Sequence, residues 1–386
     1  MALVINSNPD NGYSIHDNLI FVVYESVKAT DPVTYPNYKY VADIYVNAVL
    51  VARQKSYPNP ITFRGEFNIS GVVRNYVTQV LNPLIAIQSQ TAAEGEFFAS
   101  VQVKFGQEYS DTLYTNVVVD SERKYYNYYK GRTTSLETLS DYADAVLSNK
   151  PLISEVRLAD NYLFVPYYIS NIAAFDYELK KYNASGTLLG TSTVAITPTI
   201  AKQLLIFNVA PLATGGFINS AVSYYTFQVE SGSVYRFNIA CDPKYTNNKI
   251  HFLNKMGGFD TFAFDKVSRT TIDNNKKSFQ QREYEINSSG GVVYFNSNKV
   301  YNETNKVYYS SYKEMLKVNS NLLTNEEYVW LQELIVSPLV YWENDNYFYP
   351  IKINNTNYEI RKIVNDKLTN LTIDFEILAG HNTQYR

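Results

Sequence analysis

The sequence predicts a mainly β protein: two immunoglobulin or fibronectin-like β-sandwich domains followed by a strand-dominated α+β domain. Three observations lead to this prediction. Apolar and polar residues alternate with a period of two in many segments, which is the pattern of strands with one buried face. The chain holds 36 Tyr and 20 Phe, residues that suit pleated, half-buried positions. Its 386 residues exceed what one ordinary core supports, so two or three domains are expected.

The composition is that of a folded chain with a weakly charged surface. Apolar residues make up 45% of the chain, charged residues 18%, and the net charge is −3. A charge this small supplies no field that would hold nucleic acid or an anionic membrane. No stretch has the length of a membrane span, and the start lacks the basic and apolar regions of a signal peptide. We therefore expect synthesis in a cytoplasm, no export by an N-terminal signal, and no membrane span.

Residues 1–120 are predicted to form the N-terminal β-sandwich. The clearest strand is marked by apolar residues at alternate positions: Phe97, Ala99, Val101, Val103 and Phe105. Within the sequence SGVVRNYVTQVL, apolar residues recur at helical spacing, and Ser70 stands where it would cap the first turn. The domain is thus predicted to carry one short helix.

Residues 121–150 are predicted to be a linker with a short helix. Thr134 and Glu137 form a capping-box pattern, and Pro151 follows the apolar stripe that begins there and includes Val146. Aromatic and basic residues without strand alternation precede the helix, and these are the candidate intersubunit contact: Tyr125, Tyr126, Tyr128, Tyr129 and Arg132. Exposed tyrosines form the kind of patch that marks an interaction site, although the same rings would also fit between two domains of one chain.

The remaining chain is predicted to form two domains. Residues 151–243 return to strand patterns separated by turn signals and are predicted to be the second β-sandwich. Residues 244–386 are predicted to be a β-rich domain with one helix at about 324–336, which a capping box at Thr324 and Glu327 opens. The polar segment SRTTIDNNKKSFQQREYEINSSGG in this domain is predicted to be an exposed excursion.

The C-terminal domain is predicted to open with a hairpin. Apolar residues alternate on both sides of Gly257 and Gly258, and glycine takes a positive φ without steric cost. One of the two glycines is therefore expected at positive φ. Phe259 belongs to the same structural turn and core, and Phe262 and Phe264 are expected to point into the core.

A search for catalytic or metal-binding motifs finds none. His16, His251 and His381 stand far apart and in no metal-ligand spacing, and His251 is interpreted as a structural residue in a strand. Cys241 has no motif around it that would lower its pKa, so a buried, passive thiol is expected. The sequence predicts no catalytic residue, no metal and no cofactor.

Paired carboxylates are the remaining candidates for chemistry, because glycosidases need only two of them. The possible pairs are Asp260 with Asp265 and Glu343 with Asp345. Each is expected in a turn or on the solvated face of a strand, where ionised acids are ordinary surface residues. The chain is accordingly predicted not to be an enzyme.

Three segments resemble one family of proteins. They are residues 37–77, residues 249–269 with the sequence NKMGGFD, and residues 346–378, which begin with NYFYPIKI. In this order they resemble tail or neck structural proteins of tailed phages that infect Bacteroidetes, the crAss-like phages included. The resemblance implies a virion protein that forms a closed ring with itself and contacts other tail or neck proteins, in the neck, a tail ring or the baseplate.

A carbohydrate-binding or adhesion module for attachment to the host surface is the alternative. Sandwich domains with exposed aromatic rings are common platforms for sugars, and phage adsorption proteins have a similar composition. A glycan-cleaving enzyme is a third class, but it would need a carboxylate pair in a cleft.

Overall fold

A computed structural model of the chain describes residues 3–9, 18–76, 81, 90–91, 98–110, 116–129, 144–169, 172–198, 203–241, 244–295, 298–301, 303–354, 370–378 and 383–385. The fold is mainly β, with 52% of the residues in strands and 8% in helices, and this part of the prediction is confirmed. Among the described residues, no helix combines the length and the apolar character needed to cross a membrane.

The strands are numbered in chain order. The first nine are β1 (Val4–Ser7), β2 (Ile20–Tyr24), β3 (Lys39–Val46), β4 (Val49–Ser56), β5 (Arg64–Asn68), β6 (Gln90–Thr91), β7 (Phe98–Ser110), β8 (Asn116–Tyr129) and β9 (Ala145–Val146). The next nine are β10 (Ile153–Val156), β11 (Phe164–Ile169), β12 (Phe175–Tyr182), β13 (Leu188–Ile196), β14 (Gln203–Asn208), β15 (Tyr224–Val229), β16 (Tyr235–Ile239), β17 (Asn248–Leu253) and β18 (Phe259–Phe264). The last eight are β19 (Arg269–Gln280), β20 (Glu285–Ile286), β21 (Val292–Val293), β22 (Asn305–Asn319), β23 (Val340–Asn344), β24 (Tyr347–Ile353), β25 (Thr372–Ile377) and β26 (Thr383–Tyr385).

In the described part of the chain, three short α-helices accompany the strands: α1 (Ser70–Val73), α2 (Asn325–Trp330) and α3 (Gln332–Val336). The chain divides into two compact units. The first comprises Met1–Asp242, Phe252–Thr261 and Val329–Pro338, and the second comprises Pro243–His251, Phe262–Tyr328 and Leu339–Arg386.

Two sheets pack face to face in the N-terminal part of the first unit. Their strand orders are β1-β2-β5 and β4-β3-β7-β8. Aromatic side chains from both sheets meet between them, with the ring centroid of Phe105 5.3 Å from Phe21 and 5.8 Å from Phe67. All three rings are buried, as expected for the alternating inward residues of a sandwich.

A second pair of sheets follows in the same unit. Their strand orders are β10-β16-β15-β12-β13 and β6-β14-β11-β9. Tyr177 of the first sheet contacts Phe207 of the second at 5.3 Å between ring centroids, and Phe227 contacts Phe207 at the same distance. These rings belong to a core of buried residues that extends from Val156 to Phe237.

The predicted linker begins inside a strand, which is a correction. β8 pairs with β7 from Asn116 to Tyr129, so the sheet continues nine residues past the predicted boundary at 120. Tyrosine favours strands, and the ladder with β7 satisfies the backbone even where apolar alternation is missing. The capping box at Thr134 and Glu137 lies outside the described residues. Val146, expected in the helix, lies in β9 and pairs with β11.

The predicted helices are present in shorter form. α1 begins at Ser70 itself, and the preceding Asn68 accepts a hydrogen bond from the Ser70 backbone N–H at 3.1 Å, so Ser70 is not the capping residue. The capping box of Thr324 and Glu327 is confirmed. Thr324 N donates to Glu327 Oε2 at 2.8 Å, and Glu327 N donates to Thr324 Oγ1 at 3.2 Å. The helix predicted at about 324–336 is interrupted at Leu331, between α2 and α3.

One large sheet contains most of the strands of the second unit. Its strand order is β18-β17-β23-β24-β25-β22-β19, and β26 pairs with β22. The ring of Phe264 packs edge-on against Phe375 at 6.5 Å, and both are fully buried. β19 and the outer part of β22 extend beyond this core as a long hairpin, which carries the small ribbon of β20 and β21.

Candidate functional site

The turn at residues 254–258 is held by the buried side chain of Asn254. Its Oδ1 accepts hydrogen bonds from the backbone N–H groups of Met256 and Gly258, both at 3.0 Å, and its Nδ2 donates to the carbonyl oxygen of Leu147 at 2.8 Å. Gly257 has a φ of 97°, as predicted for one glycine of the pair. A Cβ atom on Gly258 would lie 2.3 Å from Pro166, so that glycine is required for space.

Burial along β18 does not follow the predicted alternation. Phe259 and Phe264 are fully buried, as expected for core residues, but Phe262 is only half-buried. Its ring packs edge-on against Phe264 with centroids 4.9 Å apart. The prediction for Phe262 is therefore wrong, because residues 259–261 are buried on both faces and the burial of this strand has no simple period.

Asp260, expected to be solvated, is completely buried, which is a correction. Its Oδ2 accepts hydrogen bonds from Ser148 Oγ and from the indole Nε1 of Trp330, each at 2.9 Å. Within the described residues, Oδ1 has no hydrogen-bond partner. Burial raises the pKa of the Asp260 carboxyl to about 6, although the two donated hydrogen bonds and the charge of Lys150 act in the opposite direction.

A polar network surrounds this carboxylate in the first unit. The Nζ of Lys150 lies 5.3 Å from the ring centroid of Phe237 and 5.9 Å from that of Trp330. Glu333 accepts hydrogen bonds from Asn149 Nδ2 at 2.7 Å and from the backbone N–H of Lys255 at 3.1 Å. Both Lys150 and Glu333 are buried. The network links segments of the first unit that are distant in sequence.

The second unit contains a separate buried charge cluster. Glu343 lies 3.0 Å from the Nζ of Lys249 through one oxygen and 3.0 Å from His251 Nε2 through the other. The side chains of Lys249, His251 and Glu343 are 10%, 0% and 7% exposed, so the expectation of a solvated Glu343 is wrong. Burial alone would raise the pKa of Glu343, but the hydrogen bonds and charges of His251 and Lys249 outweigh it and lower that pKa.

The other described candidates for metal binding or catalysis do not come together in one site. No three His, Cys, Asp or Glu side chains in the described part of the chain come together in a way that would hold a metal ion. Cys241 is exposed, which corrects the expectation of a buried thiol. His16 and His381 lie outside the described residues. His251 is a buried structural residue of β17, as interpreted from its strand pattern.

Four residues of the predicted intersubunit contact lie on a strand that ends its sheet among the described residues. Tyr125, Tyr126, Tyr128 and Tyr129 are in β8, which ends the sheet order β4-β3-β7-β8. Only the backbone of these tyrosines is described, and Arg132 lies outside the described residues. An edge strand offers backbone N–H and C=O groups to another chain, so this position is compatible with the predicted contact.

Among the described residues, the hairpin of β19 and β22, which the sequence predicts only as a polar excursion, carries many exposed apolar side chains. All twelve residues of β19 are exposed. Eleven large apolar side chains are exposed on this hairpin and its ribbon: Ile272, Phe279, Tyr284, Ile286, Val292, Tyr294, Phe295, Val300, Tyr301, Tyr308 and Tyr312. These apolar residues are interspersed with Asn, Ser and Lys, so a search of the sequence for apolar runs does not find them.

The chain was compared with known proteins, and neither the protein-family models nor the curated proteins contain a match to it.

Proposed function

We propose that this chain is a non-enzymatic structural protein of a phage virion, a component that assembles as an oligomeric ring in the tail, at the baseplate or at the head–tail neck. The observation that carries the proposal is the hairpin of β19 and β22, whose exposed aromatic and aliphatic side chains an isolated chain leaves in water. Clusters of exposed apolar side chains, such as the ring pairs Tyr284–Tyr294 and Phe295–Tyr301, mark protein–protein contacts.

Two further features support a role in assembly. The tyrosine-rich end of β8 occupies a sheet edge, where a neighbouring chain has access to backbone hydrogen-bonding groups. The three segments that resemble phage tail and neck proteins fall in both units. In this proposal the partners are other copies of the chain in a closed ring and neighbouring tail or neck proteins, and the protein is located in the virion after synthesis in the host cytoplasm.

The surroundings of the two strongest candidates for a catalytic carboxylate support the non-enzymatic part of the proposal. Asp260 is enclosed by Ser148, Trp330 and the surrounding core, and Glu343 is engaged by Lys249 and His251. A catalytic carboxylate must reach the bond that it acts on. Both carboxylates instead serve the packing of their own unit.

A carbohydrate-binding or adhesion module is the second candidate. It is favoured by exposed tyrosine rings on the hairpin, of which Tyr301 is 75% and Tyr294 49% exposed. Such rings are flat, amphipathic surfaces on which a sugar ring can stack.

Electron microscopy of the purified chain tests the proposed function. The proposal predicts rotationally symmetric closed rings in class averages. Particles of single 44.2 kDa chains that bind host-surface polysaccharide in titration calorimetry would instead support the adhesion module.

A further inference from the structure

The hairpin at residues 269–319, here called the arm, forms one end of the sheet order, and its outer part, residues 278–308, continues past the pairing with β25 and β26. β19 pairs with β22 along its whole length, from Arg269 opposite Lys317 to Gln280 opposite Asn305. β25 pairs with β22 only at residues 314–319, and β26 only at residues 309–311. The twelve paired residues of β19, at about 3.4 Å each, span roughly 40 Å, and the part of this length up to Tyr309 of β22 belongs to the sheet.

The outer part of the arm is apolar without being buried. The rings of Tyr284 and Tyr294 pack edge-on at 6.2 Å, and those of Phe295 and Tyr301 at 5.9 Å. Ile286 beside them is 65% exposed. A two-stranded ribbon is only marginally stable alone in water, so an arm with this surface gains stability when another molecule covers it.

The net charge of the arm indicates which molecule would cover it. The arm contains eight Lys and Arg against five Asp and Glu, a net charge of +3. The whole chain has a net charge of −3, so the rest of the chain, here called the body, carries −6. A basic arm is therefore attracted to the acidic body of another copy, and this complementarity favours association between copies.

We propose that the arm of one copy docks on the body of a second copy, with the apolar residues around Ile286 and Tyr301 at the centre of the contact. Arm and body are different surfaces, so the contact is heterologous, the type that produces a ring when the rotation closes. Residues 269–319 are also more than the roughly 20–30 residues that a standard interface uses on each side. The inference rests on the proposed function, because it names the segment that joins neighbours in the ring.

The test compares variants of the full-length chain by sedimentation equilibrium. The double variant Ile286→Ser with Tyr301→Ser removes exposed apolar groups from the arm. Thr271→Ser with Asn275→Ser is the matched control, because these two exposed residues of the arm are polar and lie far along β19 from Ile286 and Tyr301. The arm variant should raise the dissociation constant of the oligomer at least about tenfold, because central interface residues dominate binding energy, while the control should match the wild type.

A charge-reversal variant provides the second measurement. Lys276→Glu with Arg282→Glu changes two exposed basic residues of the arm, and it should weaken association most at low salt. Far-UV circular dichroism verifies that each variant is folded. If the apolar variant is unfolded, the charge-reversal variant decides the question.

The outcomes separate the two proposals. Oligomers that persist unchanged in both folded arm variants would overturn docking by the arm and leave the ring function standing. A wild-type chain that stays monomeric at every concentration would contradict self-assembly itself. A monomer that binds only a glycan or a different virion protein through the arm would overturn the second copy as the occupant.

Discussion

The indole Nε1 of Trp330 donates a hydrogen bond of 2.9 Å to Oδ2 of Asp260, and both residues are buried. The same oxygen accepts the hydroxyl of Ser148. Asp260 lies 70 residues from Trp330 and 112 from Ser148 along the chain. Its carboxylate therefore links its own segment by hydrogen bonds to two distant segments of the first unit. This contact is the centre of the polar network there.

The first prediction concerns the pH dependence of stability. The folded pKa of Asp260, about 6, lies above the ordinary value of 3.8, so the folded state binds a proton more tightly than the unfolded state. The stability that protonated Asp260 contributes is therefore lost as pH rises from about 3.8 to 6, and it changes little well above that range. Asp260→Asn keeps an acceptor for Trp330 and Ser148 but removes this loss. The free energy of unfolding of the variant minus that of the wild type should therefore increase by about 1 kcal/mol from pH 5 to pH 7.5.

Urea unfolding at the two pH values measures this gain. Asp176→Asn, at an exposed position in β12, is the matched control and should follow the wild type. The charges of Lys150 and Glu333 also act on Asp260. Each variant is therefore compared with the wild type at the same pH. An equal effect of Asp260→Asn at both pH values would show that the carboxyl does not titrate in this range.

The second prediction concerns the turn glycines. Gly258→Ala should lower the free energy of unfolding by about 1–3 kcal/mol, because the new Cβ would overlap Pro166. Gly257→Ala should cost about 1–2 kcal/mol, because alanine is strained at a φ of 97°. Gly71→Ala in α1 is the control, since a Cβ there meets open space and alanine favours the helix by up to about 1 kcal/mol. A loss of stability at Gly71 equal to that at Gly258 would argue against the close approach to Pro166.

The third prediction concerns the buried charge cluster of the second unit. Glu343→Gln leaves Lys249 buried without its counter-charge and should cost about 3–5 kcal/mol near neutral pH. Glu343 has a lowered pKa, so its contribution is present above the unfolded value of about 4.5 and is lost as pH falls through the folded pKa. The cost of the substitution should therefore shrink in acid.

An ion pair nearer the surface serves as the control for Glu343. Glu178 and Lys180 are 2.5 Å apart with side chains about a third exposed, and Glu178→Gln should cost much less than Glu343→Gln, because solvent screens this pair. Thermal unfolding followed across pH 3.5–7.5 distinguishes the two cases. Similar small effects at both positions would show that Lys249 finds water or another partner when Glu343 is neutral.

The fourth prediction concerns the edge strand β8. Tyr126→Ser with Tyr129→Ser should leave the chain folded but prevent its incorporation into particles, because these tyrosines lie in the proposed intersubunit contact. The exposed Tyr57 and Tyr347, changed together to serine, provide the control and should assemble normally. Co-purification of each variant with particles is the measurement. Normal assembly of the Tyr126 and Tyr129 variant, or its complete unfolding, would count against this contact.

The sequence predicts local features well and non-local ones poorly. The capping box at Thr324 and the positive φ at Gly257 depend on neighbours within a few residues, and both are found. Sequence reasoning expects Asp260 and Glu343 in solvent, because their partners come from distant segments and no short pattern encodes which distant segments meet. The end of β8 was missed for the same reason, since its partner β7 supplies the ladder.

Immunogold electron microscopy of phage particles purified from cells that produce the chain tests the central claim most directly. An antibody against the folded chain is applied to intact particles and, as a control, to particles pre-incubated with an excess of the purified protein. The proposed structural role predicts label at one fixed position along the tail, at the neck, a tail ring or the baseplate, and loss of label in the control. Particles without label, from lysates in which the protein is present only in the soluble fraction, would contradict it.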